Sequence, residues 1–349
     1  MSDTRVAGSP AAPNEGAPGI VPAAPWLLDV RDLSVAFPAR RGLVLAADRV
    51  SFTLEAGRTL GLVGESGCGK SVTLRSLLGL VPYPGEVIDG EVLWRGRDLR
   101  RASSAALTRI RGLEISMIFQ DPMSCLNPVF SVGEQIEETL RLKLGLKPRQ
   151  ARERAVDLLD RVGIPSPSAR LRDFPHQLSG GMRQRVMIAI AIATRPALLL
   201  GDEPTTALDV TIQDQILSLL AEIRGETGMS MILVSHDVGV VAQNSDDVAV
   251  MYAGSIVERG PARAVLESPR HPYTRGLLGA IPGIEPRSAG ERLVPIPGQP
   301  PSLSDLPGGC PFQPRCPIAR AECAEVSMAL DVPSPGHGSA CPFVGGAAS

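Results

Sequence analysis

The sequence predicts an α/β fold, a mostly parallel sheet with helices packed against it, and three observations carry that prediction. Short apolar runs at 59–63, 197–200 and 231–235 have the length and the unbroken hydrophobicity of strands buried on both faces. A glycine-rich segment, Gly64-Glu65-Ser66-Gly67-Cys68-Gly69-Lys70-Ser71-Val72, stands between the first of these runs and the helix-like stretch 71–78. An acidic pair, Asp202-Glu203, closes the second run.

In chain order, residues 1–25 are rich in Ala, Pro and Gly and contain no apolar stretch of secretory-signal type, so they are expected to form a disordered tail. The segment from Trp26 opens in β-structure, with 90–96 expected as a strand. The glycine-rich segment that follows is a phosphate-binding loop by pattern and context. Its backbone N–H groups can turn inward round phosphate oxygens, Lys70 adds a point charge for the β- and γ-phosphates, and Ser71 offers a hydroxyl to Mg²⁺ at a helix N-terminus. The implied ligand is a nucleoside triphosphate. Between Gln120 and Ser179 the chain reads as a helical insertion, in which Val156, Leu159 and Val162 are spaced as one buried stripe. Ser179-Gly180-Gly181-Met182 then opens an apolar helix, 186–193; small residues there leave N–H groups and a hydroxyl at a positive helix end, a second place for an anion. Asp202 would hold Mg²⁺, and Glu203, one residue on and pointing elsewhere, would polarise an attacking water. Taken singly, Ser-Gly-Gly is a common flexible turn and Asp-Glu a common solvated loop; their order behind the phosphate loop gives them weight.

Bulk properties narrow the function class. With 349 residues, 44% of them hydrophobic and 21% charged, the chain can fill a sizeable core, and a formal net charge of −2 leaves no basic footprint for nucleic acid. The apolar run from Val186 is broken by Arg195-Pro196 and is too short to span a bilayer.

At these residues the chain resembles the ATP-binding cassette (ABC) ATPases, the motor subunits of ABC transporters. The resemblance implies a P-loop cassette with a RecA-like core, an antiparallel β subdomain and a helical subdomain at about 121–185, the whole cassette running from 26 to 260. It implies that Gln120 is the family's Q-loop glutamine, which senses Mg²⁺ and the γ-phosphate. Residues 206–209, ending in Asp209, match the D-loop, His236 matches the switch histidine, and Phe37 falls where the family stacks an aromatic on adenine. In this family two cassettes meet head to tail, so that Ser179, Gly180 and Gly181 of one face ATP on the phosphate loop of the other. The chain carries one copy of each signature, so the second cassette must come from another chain, identical or related. Gly201 stands where the family more often has alanine, and looser local packing is the expected result. The stretch 121–128, with prolines at both ends, is expected as a rigid surface loop where the family receives a helix of the membrane subunit.

Beyond Gly260, His271-Pro-Tyr273, then 296–302, then Gly309-Cys310-Pro-Phe-Gln-Pro-Arg-Cys316-Pro resemble the C-terminal extension of oligopeptide and dipeptide importer ATPases, a group that includes nickel importers. That resemblance implies a cassette at the cytoplasmic face of the membrane, two transmembrane permease subunits, a second ATPase subunit and an extracytoplasmic substrate-binding protein, with no nucleic-acid partner. Peptide is the implied cargo, nickel or another small solute the alternative.

Six cysteines divide into two sets. Cys68 in the phosphate loop and Cys125 are expected as small packed thiols; Cys310, Cys316, Cys323 and Cys341 crowd the last segment, in a protein whose use of ATP points to a reducing compartment that disfavours disulfides. Four thiolates suit zinc or an iron–sulfur cluster, although none has the short spacing usual in structural zinc sites. Resemblance to the peptide importers implies a [4Fe–4S] cluster; zinc and free thiols remain open. Two rival functions also stand: a non-transport cassette ATPase acting on nucleic acid, which would usually bring a second cassette or a long coiled coil, and a redox sensor in which hydrolysis is secondary.

Overall fold

Among the residues that this computed structural model describes (26–40, 42–205, 208–280, 295–326, 330 and 336–344), eleven strands form two sheets. They are β1 (Leu28–Ala39), β2 (Gly42–Leu54), β3 (Thr59–Val63), β4 (Glu86–Trp94), β5 (Arg97–Asp98), β6 (Ile115–Ile118), β7 (Leu198–Asp202), β8 (Ser230–Ser235), β9 (Asp247–Tyr252), β10 (Ser255–Pro261) and β11 (Gly338–Ser339). The expected N-terminal tail, 1–25, lies outside the described residues.

The first sheet, ordered β2-β1-β4-β5, is antiparallel throughout. The second is ordered β11-β10-β9-β3-β8-β7-β6; its pairs from β9 to β6 are parallel, and β10 and β11 extend it antiparallel at one edge. Every residue of β3, β7 and β8 is buried, as a strand covered on both faces requires. Because β6, β7, β8 and β3 run side by side in one direction, their carboxyl ends lie along one rim. Gln120, Asp202 and Glu203, His236 and the loop from Gly64 therefore meet there, where open parallel sheets bind ligands.

The insertion between Gln120 and Ser179 is helical. Val132–Leu144 starts at a capping box, in which the Ser131 hydroxyl accepts the Glu134 N–H and the Glu134 carboxylate accepts the Ser131 N–H at 2.7 Å, and it stops at Gly145 with φ 67°. In Pro148–Arg161 the buried residues are Ala151, Ala155, Leu158 and Leu159, followed by Val162, while Val156 is only half-buried. The stripe thus follows the 3.6-residue helical repeat, and Val156 sits at its margin. The stretch 121–128, expected as a loop, contains a one-turn helix, Pro122–Cys125, because Asp121 caps it by accepting the Met123 N–H at 2.9 Å and Pro122 occupies the first helical position. Cys125 is exposed there rather than packed, as are Met123, Val129 and Phe130.

Residues beyond Gly260 share a core with strands β9 and β10. Tyr273, Leu278 and Phe312 are buried together with Val248, Val250 and Tyr252 of β9 and Val257 of β10. The rings of Tyr252, Tyr273 and Phe312 lie 4.5 to 5.5 Å apart between centroids, tilted or edge to face, as aromatic quadrupoles prefer. No helix of the described residues is long and apolar enough to cross a membrane.

Candidate nucleotide site

The chain leaves β3 at Gly64 and turns through Gly69 into the helix Lys70–Leu77. Gly69 has φ 106°, and a Cβ there would strike the carbonyl oxygen of Ala46, so no larger residue fits. Lys70 is almost fully buried; its ammonium curls back over the loop, donating to the carbonyl oxygens of Gly64 at 2.8 Å and Glu65 at 2.9 Å. The charge is thereby held over the loop, with Asp202 close enough to feel it.

Ser71, the next residue, donates its hydroxyl to Asp202 Oδ1 at 2.6 Å. Asp202 is completely buried at the end of β7, and burial raises its pKa despite the Ser71 hydrogen bond and the nearby Arg75 guanidinium. Its second oxygen, Oδ2, is buried without a hydrogen-bond partner; the nearest cation is Arg75 at 3.6 Å. A hydroxyl beside a carboxylate with one unused, buried oxygen fits a Mg²⁺ ion, which favours such hard oxygen donors.

Glu203 follows Asp202 with φ 49°, a left-handed conformation that costs a non-glycine residue about 1–3 kcal/mol and turns its carboxylate away from that of Asp202. Its N–H donates to Val234 O at 3.1 Å, which pins the kink to β8. Gln120 donates its side-chain amide to Glu203 Oε2 at 3.0 Å, and His236 Nδ1 lies 3.5 Å from the same oxygen. Two residues, one 83 positions before Glu203 and the other 33 after it, thus converge on its carboxylate. Lys70, Ser71, Gln120 and Glu203 line a single cleft of about 390 Å³, together with Ser66, Gly67, Gly69 and Val72 of the loop. Phe37, Val44, Ala46 and Leu303 supply its apolar lining, so Phe37 is placed where a base could pack.

Other expected residues are elsewhere. Ser179 caps the helix Gly180–Ile192 by accepting the Met182 N–H at 3.3 Å; Ser179 and Gly180 are exposed, and neither they nor Gly181 line the cleft. Asp209 accepts the Ile212 N–H at 3.0 Å as the cap of Val210–Thr227. Thr206 and Ala207 lie outside the described residues. Gly201 would accept a methyl at ordinary contact distance from Leu233 and Pro204, so the missing side chain leaves a small gap and no strain.

Cys310, Cys316, Cys323 and Cys341 are free thiols. Burial pushes the Cys310 and Cys316 thiols up, N–H groups of Phe312 and Gln313 on Cys310 and of Ile318 on Cys316 oppose the rise, and the charges of Cys323 and Cys341 add to it. Arg320 N–H also points at Cys323 Sγ, 3.5 Å away. Burial outweighs these donors at Cys310 and Cys316, and no three His, Cys, Asp or Glu side chains among the described residues are arranged to hold a metal ion.

Two contacts of the phosphate loop have no counterpart in the sequence reading. Glu65 N–H donates to the hydroxyl of Tyr273 at 2.9 Å, and the Glu65 carboxylate accepts two hydrogen bonds from Arg315, at 2.7 and 2.9 Å. The His-Pro-Tyr triplet was the only sequence signal for the first, and nothing local links position 65 with 315.

Comparison with known proteins agrees with this geometry. Residues 47–206 match the family model for ABC transporters, and residues 257–323 match the model for the oligopeptide/dipeptide transporter C-terminal region. The chain is 48% identical to the dipeptide transport ATP-binding protein DppD of Bacillus subtilis over 90% of this chain and 94% of that one. It is 47% identical to DppD of Escherichia coli over 91% and 96%. A dimeric structure of the ATP-binding cassette MJ0796, in a post-hydrolysis state bound to ADP and Pi, superposes with a TM-score of 0.61 at 26% identity, covering 68% of this chain and 99% of that one.

Proposed function

The chain belongs to the ABC transporter ATPases, and from that premise we propose that it hydrolyses ATP to power the import of di- or oligopeptides across the cytoplasmic membrane. The observation that carries the hydrolytic part is the convergence of Gln120 and His236 on Glu203 beside Lys70 and Ser71. Similarity to dipeptide transport ATPases over nearly the whole length supports peptide rather than nickel as cargo.

The residues divide the work. Backbone N–H groups of the loop other than that of Glu65, which Tyr273 holds, and the Lys70 ammonium bind and orient the β- and γ-phosphates, while Phe37 packs on the base. Ser71 and Asp202 would hold Mg²⁺, with Gln120 able to reach it by leaving Glu203; the ion supplies charge neutralisation on the phosphate oxygens. Glu203 takes a proton from the attacking water, and His236 holds the γ-phosphate. Ser179, Gly180 and Gly181 act on the nucleotide of a second cassette, so closure of the pair pulls two docked permease subunits together. The exposed Met123, Val129 and Phe130 belong to the surface those subunits would meet. The partner cassette is a related chain or a second copy, cargo arrives from an extracytoplasmic binding protein, and the assembly works at the cytoplasmic face of the membrane.

Glu203→Gln is expected to keep ATP binding and lower turnover by about 10²–10⁴-fold, the usual cost of removing a positioned general base. Steady-state ATPase of the assembled transporter, with the partner site disabled, is the measurement, and near-normal turnover would remove Glu203 from this role.

We also infer that Cys310, Cys316, Cys323 and Cys341 hold a [4Fe–4S] cluster, with zinc as the alternative. The support is four thiols in one segment, with Cys310 and Cys316 each near enough to Cys323 and Cys341 to feel their charge, and with backbone N–H donors at Cys310, Cys316 and Cys323. Such a group would cross-link the tail without entering the hydrolytic reaction. Anaerobically purified protein should contain about four irons and four sulfides per chain; stoichiometric zinc would establish the alternative, and neither metal would leave ordinary thiols.

A further inference from the structure

Glu65 is the second residue of the phosphate loop, and each of its polar groups is held. Its carbonyl accepts from Lys70, its N–H donates to Tyr273, and its carboxylate is gripped by both terminal nitrogens of Arg315. Arg315 is itself fixed: its side chain is 5% exposed, its Nε donates to Pro297 O at 2.9 Å, and one terminal nitrogen reaches the Tyr252 hydroxyl at 3.3 Å. Tyr252 is on β9, whereas Tyr273, Pro297 and Arg315 all lie beyond Gly260, and Leu303 of the same segment lines the nucleotide cleft. The C-terminal segment therefore reaches the phosphate loop at one residue, through two independent side chains.

Electrostatics give that contact a purpose. A carboxylate at position 65 sits in a loop that must receive a triphosphate, and by itself it would repel the ligand and compete for Lys70. A bidentate guanidinium cancels the charge and fixes its direction, which a single-point ammonium does less well.

We propose that Arg315 is a positioning residue for ATP binding in cis, neutralising Glu65 and holding the phosphate loop and Lys70 in their binding geometry, with Tyr273 as the second tether. The proposal rests on the ATPase reading above and adds the C-terminal segment to the nucleotide site of the same chain.

Mg-ATP affinity of the full-length protein, measured at low and high salt, tests it. Arg315→Gln leaves the Glu65 carboxylate unpaired and is expected to weaken ATP binding about tenfold at low ionic strength, a difference of about 1.4 kcal/mol. The defect should shrink as salt screens the carboxylate. Arg315→Lys keeps the charge without the fork and should fall between wild type and Arg315→Gln. The decisive variant is the double one: Glu65→Gln with Arg315→Gln removes the stray charge and should recover at least half of the loss on a logarithmic scale. A merely structural arginine gives no such recovery and no salt dependence. Thermal unfolding of each variant without nucleotide shows that it is folded. Wild-type protein that fails to bind ATP overturns the ATPase reading and this one with it. Wild type that binds, with Arg315→Gln indistinguishable from it or with the double variant no better than Arg315→Gln, overturns this proposal alone.

Discussion

Before the helix Lys70–Leu77, Gly64 and Gly69 are hemmed in, whereas Gly180, at the start of Gly180–Ile192, stands in the open. A Cβ on Gly64 would meet the Met251 carbonyl oxygen and one on Gly69 the Ala46 carbonyl oxygen, and both residues have φ values that disfavour side chains. A Cβ on Gly180 would have nothing within 4 Å. The first pair is glycine because this chain's own backbone leaves no room. Among the described residues nothing lies where a Cβ on Gly180 would go, so this helix start is open to an approach from outside. The same contrast holds for the flanking groups: Glu65 is tied to Lys70, Tyr273 and Arg315, while Ser179 is exposed and its hydroxyl caps its own helix.

Substitution at the two places should sharpen this contrast. Gly69→Ala is expected to have the largest effect, collapsing ATP binding in the isolated chain to background, because the methyl cannot be placed without moving β2. Gly180→Ala should fold with equal or slightly greater stability, by roughly 0.5–1 kcal/mol as alanine replaces glycine in a helix, yet lower ATPase in the assembled pair several-fold. Calorimetry of the single chain beside ATPase of the complex separates the two. A Gly180→Ala chain that unfolds on its own would show that the open start is structural after all.

A smaller effect concerns the C-terminal segment that braces the enclosed loop. His271, 1% exposed, caps Pro272–Gly279 by accepting the Tyr273 N–H at Nδ1, and burial lowers its pKa from 6.5 to about 4. The folded state therefore takes up the proton less readily than the unfolded one. This contribution is fully present above about pH 6.5 and is lost as pH falls toward about 4, a change of at most about 3 kcal/mol. His271→Asn keeps an acceptor for the cap and binds no proton, so its melting temperature should fall less between pH 6.5 and pH 4. Equal slopes for the two proteins would assign the acid sensitivity to other groups.

The cleft was largely legible in the sequence because each of its polar residues sits at the end of an apolar run. Lys70, Asp202, Glu203 and His236 all follow strands whose burial forces them to the rim, so strand and chemistry announce each other. Gln120 follows β6 in the same way. Legibility failed where the decisive partner was remote. Arg315 stands among cysteines and prolines that drew attention to metal, and its bond to Glu65 spans 250 residues. Phe312 and Tyr273 likewise complete an aromatic cluster whose third member, Tyr252, belongs to β9. At 121–128 two prolines suggested a loop; the Asp121 cap and Pro122 at the first helical position made a helical turn instead, and it left Cys125 in solvent.

The central claim is that the enclosed loop binds ATP for this chain while the open helix start serves the nucleotide of another. Photolabelling with an ATP analogue, read separately on this chain and on its partner cassette in the assembled transporter, tests it most directly. With Ser179→Arg the account predicts loss of label at the partner's site and retention on the chain that carries Lys70; loss confined to the Lys70 chain would contradict it.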